Sequence, residues 1–195
     1  MSRTLTAADI LPLADYAPQR PARRKALVEI KKNRRIFVGP HATVSFECWD
    51  TMWYQVQEML YIEKGGDAQL EGELAAYAPM VPNGRELVAT MMFEIEEPRR
   101  RAKVLGELGG VEETIALRFA GETVQAVPEA DLDRTTAEGK TSSVHFLHFP
   151  FTPEQIAKFR ETGMQVVFAI EHARYPHMTV LPEPTRAALA ADFDN

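Results

Sequence analysis

The pattern of hydrophobic and polar positions changes period along the chain, and each change predicts a different kind of element. Up to residue 84 the pattern is mostly helical, with one helix starting near Thr6 and others at 21–32, 50–64 and 67–77. A short hairpin turning at Gly39 interrupts these helices. After residue 84, apolar and polar side chains alternate as in strands with one buried face. The predicted strands are 87–95, 111–119, 123–127, 143–149 and 164–170, and the predicted helices between and after them are 99–108, 153–162 and 185–193.

This order of elements predicts a single α+β domain, in which helices pack on a mostly antiparallel β-sheet. The run 164–170 is apolar on both faces and is therefore expected near the centre of the sheet. The polar run 128–142 is expected to form an exposed loop. The predicted domain spans residues 1–195, and residues 1–35 form a basic helical arm that packs on it or extends from it.

Charge is unevenly distributed along the chain. Residues 1–35 hold nine Lys and Arg against three Asp and Glu, a net charge of +6 within a chain of net charge -6. We expect these basic side chains to face solvent or to dock on the acidic remainder, either of the same chain or of a second subunit in a homodimer. An acidic partner protein is an alternative. Nucleic acid is not favoured as a partner, because the acidic remainder would repel a phosphate backbone.

The sequence also excludes several classes of protein. Cys48 is the only cysteine among 195 residues, which excludes an internal disulfide and any zinc or iron-sulfur site built from four cysteines. No stretch reaches the roughly 20 apolar residues that a membrane span needs, and the N-terminus lacks the pattern of a secretory signal. We therefore expect a cytoplasmic protein with no membrane partner.

The predicted helix after the hairpin carries carboxylates among apolar residues. Glu58 and Glu63 need partners if this helix is covered on most sides, because an unpaired buried carboxylate is costly. One interpretation pairs Glu58 with an arginine of the basic helix and lets Glu63 emerge at the helix end. The other places a carboxylate in a pocket walled by Trp49, Trp53 and Tyr54, for a cation, a metal or a small ligand.

Glu47 raises the same question. It ends the second strand of the hairpin, on the face that carries Thr43 and Ser45. Asp50, a few residues later, is explained as a helix cap, whereas Glu47 has no such explanation. Glu47 is therefore a candidate for ligand binding.

The histidines predict a metal site only weakly. His145 and His148 are three residues apart on a predicted strand, so they point to opposite faces and cannot chelate one ion locally. Glu171, His172 and His177 could meet His145 or His148 from a neighbouring strand, and a set of two histidines and one carboxylate drawn from these residues would suit iron or zinc.

Four stretches of the chain carry a resemblance to a known family: LTAADILPL, VGPHATVSFECWDTMWYQVQEMLYIEK, YAPMVPNGRELVATMMFEI and IEHARYPH. They are similar to an uncharacterised bacterial family of similar length, a domain of unknown function, over essentially the whole chain. The chain departs from the family at Trp49, where a small polar residue is usual, and at Ala173, where proline is common. The residues that match the family pattern are Phe46, Glu47, Thr51, Gln57, Glu58, Met59, Glu63, Pro82, Glu86, His172 and Tyr175.

The resemblance implies a setting rather than an activity. Members of the family are often encoded beside rubrerythrin-like di-iron proteins and iron-sulfur oxidoreductases of the heterodisulfide-reductase type, which implies a redox or peroxide-stress context. The hypothesis is a non-enzymatic accessory or binding protein with such a redox partner, and the alternative is a metal-dependent enzyme or a small-ligand binder. No catalytic residue, cofactor or metal site is assigned. The ligand-binding candidates are Glu47, Trp49, Thr51, Tyr54, Gln57, Glu58, Glu63, His172 and Tyr175.

Overall fold

A computed structural model describes residues 4–129 and 140–194, which form an α+β fold. The α-helices are α1 (Leu13–Lys32), α2 (Trp49–Glu63), α3 (Gly66–Tyr77), α4 (Pro98–Gly106), α5 (Pro153–Arg160) and α6 (Glu183–Ala190). The strands are β1 (Arg35–Val38), β2 (Ala42–Phe46), β3 (Glu86–Phe93), β4 (Ile115–Phe119), β5 (Glu122–Gln125), β6 (Val127–Pro128), β7 (Val144–Pro150), β8 (Val167–His172) and β9 (Tyr175–Val180). Short 3-10 turns lie at Ala7–Asp9, Ala78–Met80 and Val111–Thr114.

The strands form two antiparallel sheets. One has the order β1-β2-β3-β7-β6 and the other the order β5-β4-β8-β9. Both sheets contribute side chains to the larger hydrophobic core, in which the ring of Phe168 lies 5.8 Å from that of Phe149 and 6.3 Å from that of Phe46. The predicted α+β class and antiparallel pairing are confirmed. The division of the strands into two sheets was not predicted.

The opposite face of the five-stranded sheet is covered by α1, α2 and α3. Met52 and Val56 of α2 share a second apolar cluster with Val88 of β3 and Phe146 of β7. Because side chains alternate along a strand, β3 sends every second residue to the core between the sheets and the others towards the helices. The five-stranded sheet is therefore the middle layer of the fold.

The N-terminal arm contains one α-helix, whereas the sequence predicted two. The segment after Thr6 forms only a 3-10 turn, and α1 then continues through Pro18 and Pro21. Each proline inside a helix removes a backbone hydrogen bond, and the contacts of α1 with α2 offset that loss. Although α1 is 20 residues long, neither it nor another described helix is apolar enough to cross a membrane.

The four-stranded sheet ends in a strand that the sequence did not predict. β9 pairs with β8 after a turn at Ala173 and Arg174, and β8 lies between β4 and β9, away from the sheet edges, as its apolar pattern indicated. The predicted strand at 111–119 begins only at Ile115, because the residues before it form a 3-10 turn. Most of the loop predicted at 128–142 lies outside the described residues.

Candidate functional site

A cavity of about 210 Å³ lies between the five-stranded sheet and the helices that cover it. Strands β2, β3 and β7 form one wall, α2 forms the opposite wall, and α1 and α3 contribute at the sides. Ser45 of β2 and Thr90 of β3 are direct cross-strand partners, which places polar side chains next to each other on this face of the sheet. The residues that line the cavity are Lys31, Ser45, Glu47, Met52, Gln55, Tyr77, Thr90, Met92 and Phe146.

Glu47 is the buried charged residue of this cavity. Its backbone N–H donates to the carbonyl of Val88 at 2.7 Å, which extends the pairing of β2 with β3 and directs the side chain towards the helices. Glu47 is only 6% exposed. Its Oε1 accepts a hydrogen bond of 2.7 Å from Thr90 Oγ1. The other carboxylate oxygen has no hydrogen-bond partner among the described residues, and Glu47 forms no ion pair with them.

Several neutral polar groups face the same cavity with unused hydrogen-bonding capacity. The amide of Gln55 makes one long contact, 3.5 Å from its Nε2 to the Tyr77 hydroxyl. The Ser45 hydroxyl makes no hydrogen bond with the described part of the chain. The charged ammonium group of Lys31, which also lines the cavity, makes none either. Met52, Met92 and Phe146 supply an apolar wall. A few polar groups against an apolar wall are typical of small-molecule sites.

The charged groups that line the cavity are one carboxylate and one ammonium group. Its lining contains one carboxylate and neither histidine nor cysteine. Across residues 4–129 and 140–194, no three His, Cys, Asp or Glu side chains are arranged to hold a metal ion. A lone carboxylate with one free oxygen can accept hydrogen bonds from an ammonium or another charged donor.

Glu58, another ligand-binding candidate, is held by the N-terminal arm. Arg20 donates to both of its carboxylate oxygens at 2.8 and 2.9 Å, and the Tyr16 hydroxyl donates at 2.5 Å. The Arg20 guanidinium, with help from Tyr16, holds the pKa of Glu58 below its usual value, whereas burial and the Glu58 charge raise the pKa of Tyr16. Glu58 therefore pairs with an arginine, as one of the two interpretations required, and that arginine is Arg20 of the N-terminal arm.

Three further candidates on α2 make contacts within the fold. Gln57 is fully buried and holds the backbone of Leu11, accepting from its N–H at 2.9 Å and donating to its carbonyl at 3.1 Å. The Thr51 hydroxyl accepts from the Cys48 N–H and donates to the Cys48 carbonyl, both at 2.9 Å, at the start of the helix. Glu63 is exposed at the helix end, where Gln69 donates to it at 3.0 Å.

The aromatic residues of α2 lie against α1, and burial together with the charge of nearby Glu58 raises the pKa of one of them, Tyr54. The rings of Trp49 and Trp53 stack with their centroids 6.2 Å apart, and the Arg23 guanidinium lies 4.4 Å from the Trp53 ring. With Tyr54 they line a shallow groove of about 80 Å³. Neither Glu58 nor Glu63 lines this groove, so the predicted pocket with aromatic walls around these carboxylates does not form.

Tyr175 and His172 lie at the β8–β9 turn, and both bond to the backbone. The Tyr175 hydroxyl donates to the Val38 carbonyl at 2.8 Å and accepts from the N–H groups of His41 and Ala42 at 2.9 and 3.0 Å. It thereby fixes the β1–β2 hairpin to the second sheet. His172 Nδ1 accepts from the Arg174 N–H at 3.2 Å inside the turn.

Gly39 permits the close approach of the hairpin to β9. Its φ is +66°, and a Cβ atom built there would lie 2.5 Å from the His177 ring. Any other residue would push the hairpin away from the Tyr175 hydroxyl.

The histidines do not assemble into the predicted site. His145 points into the core between the sheets and His148 towards the helices, as their spacing predicted. However, β7 and β8 belong to different sheets, and among the described residues no three His, Cys, Asp or Glu side chains, these histidines included, are arranged to hold a metal ion. His148 instead bonds to Glu86 at 3.0 Å, which raises the pKa of the imidazole.

Cys48 lies beside a buried ion pair. Arg34 donates to the two carboxylate oxygens of Asp192 at 2.7 and 2.8 Å, and to the main-chain carbonyl of Glu47 at 3.3 Å. Burial acts to lower the pKa of Arg34, but Asp192 raises it overall, so the guanidinium stays charged. Burial raises the pKa of the Cys48 thiol, which disfavours the thiolate that a nucleophile requires.

A larger groove of about 790 Å³ runs along α5. Its charged residues are Arg85, Arg160 and Asp194. Arg85 and Asp194 are exposed, and Arg160 donates to the carbonyls of Phe193 and Asp194 at 3.1 and 2.8 Å. This groove is larger than the Glu47 cavity, but it contains no buried charge that lacks a counter-charge.

The sequence identified one cavity residue, Glu47, and missed its neighbours. Strand alternation already placed Thr90 and Met92 on one face, and Ser45 on the face of Glu47. Nothing in the sequence showed that β2 pairs with β3 in the register that joins them. The ligand-binding candidates therefore do not converge: Glu47 lies in the cavity, and the others contact separate parts of the fold.

Comparisons with known proteins agree with this architecture. A crystal structure of a protein of unknown function from Burkholderia pseudomallei K96243 is similar to the chain, with 36% sequence identity and a TM-score of 0.90, over 98% of this chain and 100% of that one. No curated protein matches the chain. The model of the family described as "Protein of unknown function (DUF3501)" matches residues 4–193. The chain therefore belongs to the DUF3501 family.

Proposed function

We propose that this protein is a non-enzymatic binding protein whose small-molecule ligand enters the Glu47 cavity. One observation carries the proposal: a carboxylate that is 6% exposed lines a cavity of about 210 Å³ and has one hydrogen bond and no ion pair among the described residues.

Two other buried charges among the described residues differ from Glu47, because each is paired with a carboxylate of the fold. Arg34 is paired with Asp192, and Arg186 with Glu183, each through two hydrogen bonds. These groups are satisfied by the fold itself. Desolvating a carboxylate without a counter-charge is costly, and a ligand that brings the missing donor would recover that cost on binding. Glu47 is thus a group at which a ligand would add a direct charged donor.

The experiment is a thermal-shift screen of small metabolites on the wild type, Glu47→Gln and Glu94→Gln. Glu94 is the control: it also accepts a hydrogen bond from a strand threonine, Thr43, at 2.5 Å, but it is exposed, pairs with Arg35 and lies outside the cavity. Compounds that raise the melting temperature of the wild type and of Glu94→Gln, but not of Glu47→Gln, support the proposal. A screen in which every stabilising compound acts equally on all three proteins contradicts it.

A second candidate function is that of an accessory protein for a rubrerythrin-like di-iron or iron-sulfur redox protein in a cytoplasmic, peroxide-stress setting. The sequence resemblance supports the setting, and the exposed face of α1 supports a docking surface. Arg24, Lys25 and Lys32 are exposed on this helix, and Val28 beside them is 53% exposed. Such a surface fits an acidic partner.

This candidate predicts a salt-sensitive complex. Charge reversal of Arg24, Lys25 and Lys32 to glutamate should abolish co-purification with the redox partner at low salt. The control is the same charge reversal to glutamate at three exposed residues of α4, namely Arg99, Arg100 and Lys103. Equal loss in both variants would indicate a net-charge effect and would contradict docking through α1. Size-exclusion chromatography of the protein alone distinguishes a homodimer that uses the same face.

A further inference from the structure

We infer that the ligand of the Glu47 cavity is a short amine that also carries an anionic group, an inference that rests on the proposed function. The cavity has a negative charge at its buried end, that of Glu47, and a positive charge at its exposed side, that of Lys31, and its lining also includes an apolar wall.

The buried end is complementary to an ammonium group. The Thr90 hydroxyl holds Oε1 of Glu47, which leaves the second oxygen as an acceptor for a donor from the ligand. An ammonium would donate directly to this oxygen, whereas the nearby Arg34 guanidinium is bound to Asp192 and reaches only the main-chain carbonyl of Glu47. Charge-assisted hydrogen bonds are about twice as strong as neutral ones. A neutral donor would satisfy the oxygen and leave the charge unpaired.

The exposed side is complementary to an anion. Lys31 is exposed in the last turn of α1, and its ammonium pairs with no carboxylate of the described residues. It also lies beyond ion-pair distance from Glu47, although both line the same cavity. The space between them separates opposite charges that a single zwitterion can bridge. A carboxylate or a phosphate on the ligand would fit at Lys31.

The size of the cavity limits the body of the ligand. About 210 Å³ corresponds to about seven water-sized groups, at the share of volume that water takes in the liquid. A five-carbon amino acid is of this size, and a nucleotide is not. Met52, Met92 and Phe146 would contact the hydrocarbon part, and the Ser45 and Tyr77 hydroxyls offer further hydrogen bonds.

Isothermal titration with three matched probes tests the ligand class. The probes are 5-aminovalerate, n-pentylamine, which lacks the carboxylate, and valerate, which lacks the amine. The wild type should bind 5-aminovalerate at least about tenfold more tightly than either of the others. Glu47→Gln should remove the preference for the amine over valerate. Lys31→Met should remove the preference for 5-aminovalerate over n-pentylamine, and Glu94→Gln should behave as the wild type.

The outcomes separate this inference from the proposed function. If n-pentylamine and 5-aminovalerate bind with equal affinity and neither binds Glu47→Gln, the claim that the ligand carries an anionic group is overturned. The Glu47 cavity would still be the binding site. Failure of both amines, while the thermal-shift screen finds other ligands that depend on Glu47, overturns the whole ligand class but not the binding function. The absence of any ligand dependent on Glu47 in both experiments overturns both.

Discussion

Replacing Gln57 by methionine should detach the N-terminal segment from α2 and destabilise the fold. The Gln57 side chain is fully buried, and its amide forms a pair of hydrogen bonds of 2.9 and 3.1 Å with the backbone of Leu11. Methionine has nearly the same length and volume, so the packing is preserved and the hydrogen bonds are lost. The change therefore isolates the contribution of the amide.

The free energy of unfolding should fall by about 2 kcal/mol, at about 1 kcal/mol for each hydrogen bond. The loss is not larger because Leu11 is half-buried, so its backbone can partly bond to water. Because the free energy of unfolding falls by about 2 kcal/mol per molar urea, the urea concentration at the unfolding midpoint should fall by about 1 M. Leu11 itself should lose protection of its backbone N–H from hydrogen exchange, since its acceptor is gone.

Urea titration followed by tryptophan fluorescence measures the unfolding midpoint. Amide hydrogen exchange measures the protection of the Leu11 N–H. Trp53 reports on the same segment, because its Nε1 donates to the Asp9 carbonyl at 2.8 Å. The control is Gln55→Met on the same helix, whose amide makes only the contact of 3.5 Å and should cost less than about 0.5 kcal/mol. Equal losses in the two variants, or unchanged exchange at Leu11 in Gln57→Met, would refute the structural role of Gln57.

Three further substitutions test other parts of the fold by urea unfolding. Tyr175→Phe should cost about 2 kcal/mol, because it removes the hydroxyl that bonds to the first hairpin, and a loss below about 0.5 kcal/mol would contradict that role. Asp192→Asn should cost about 3 kcal/mol, because it leaves Arg34 buried without its counter-charge, and a neutral result would refute the importance of the pair. The hydrogen bond to Glu86 raises the pKa of His148, so the protonated imidazole stabilises the native state. The advantage of the wild type over Glu86→Gln should therefore be complete below the unfolded pKa of about 6.5 and disappear as the pH rises through the higher folded pKa, and an advantage that grows with pH would contradict this.

Local patterns predicted much of the fold. The alternation of β3 correctly assigned its residues to two faces, and the apolar surroundings of α2 indicated that Glu58 needs a cationic partner, which is Arg20. Both inferences depend on residues within one element and on the cost of burying charge. They do not require knowledge of which elements meet.

The errors came from one strand with an unusual local pattern and from contacts between distant parts of the chain. β9 escaped prediction because its apolar residues Pro176, Met178 and Val180 face outward, whereas Tyr175 is buried, which reverses the usual pattern of a strand. Strands β7 and β8 are separated only by α5, yet they lie in different sheets.

The candidate site also depends on a contact between distant residues, which local patterns do not show. The hydrogen bond from Thr90 to Glu47 joins residues 43 positions apart, and it depends on the register of β2 against β3. The alternation of each strand predicted the face of each residue but not this pairing. For this reason the sequence identified the carboxylate and left the cavity around it undetermined.

A crystallographic soak with small amines, amino acids and sugars tests the central claim most directly, because it shows where a ligand binds. We expect electron density for an amine-bearing compound inside the cavity, with its nitrogen within hydrogen-bond distance of Glu47, and no such density in crystals of Glu47→Gln. Compounds bound only elsewhere, such as in the groove beside Arg85 and Arg160, would contradict the claim that the Glu47 cavity is the binding site.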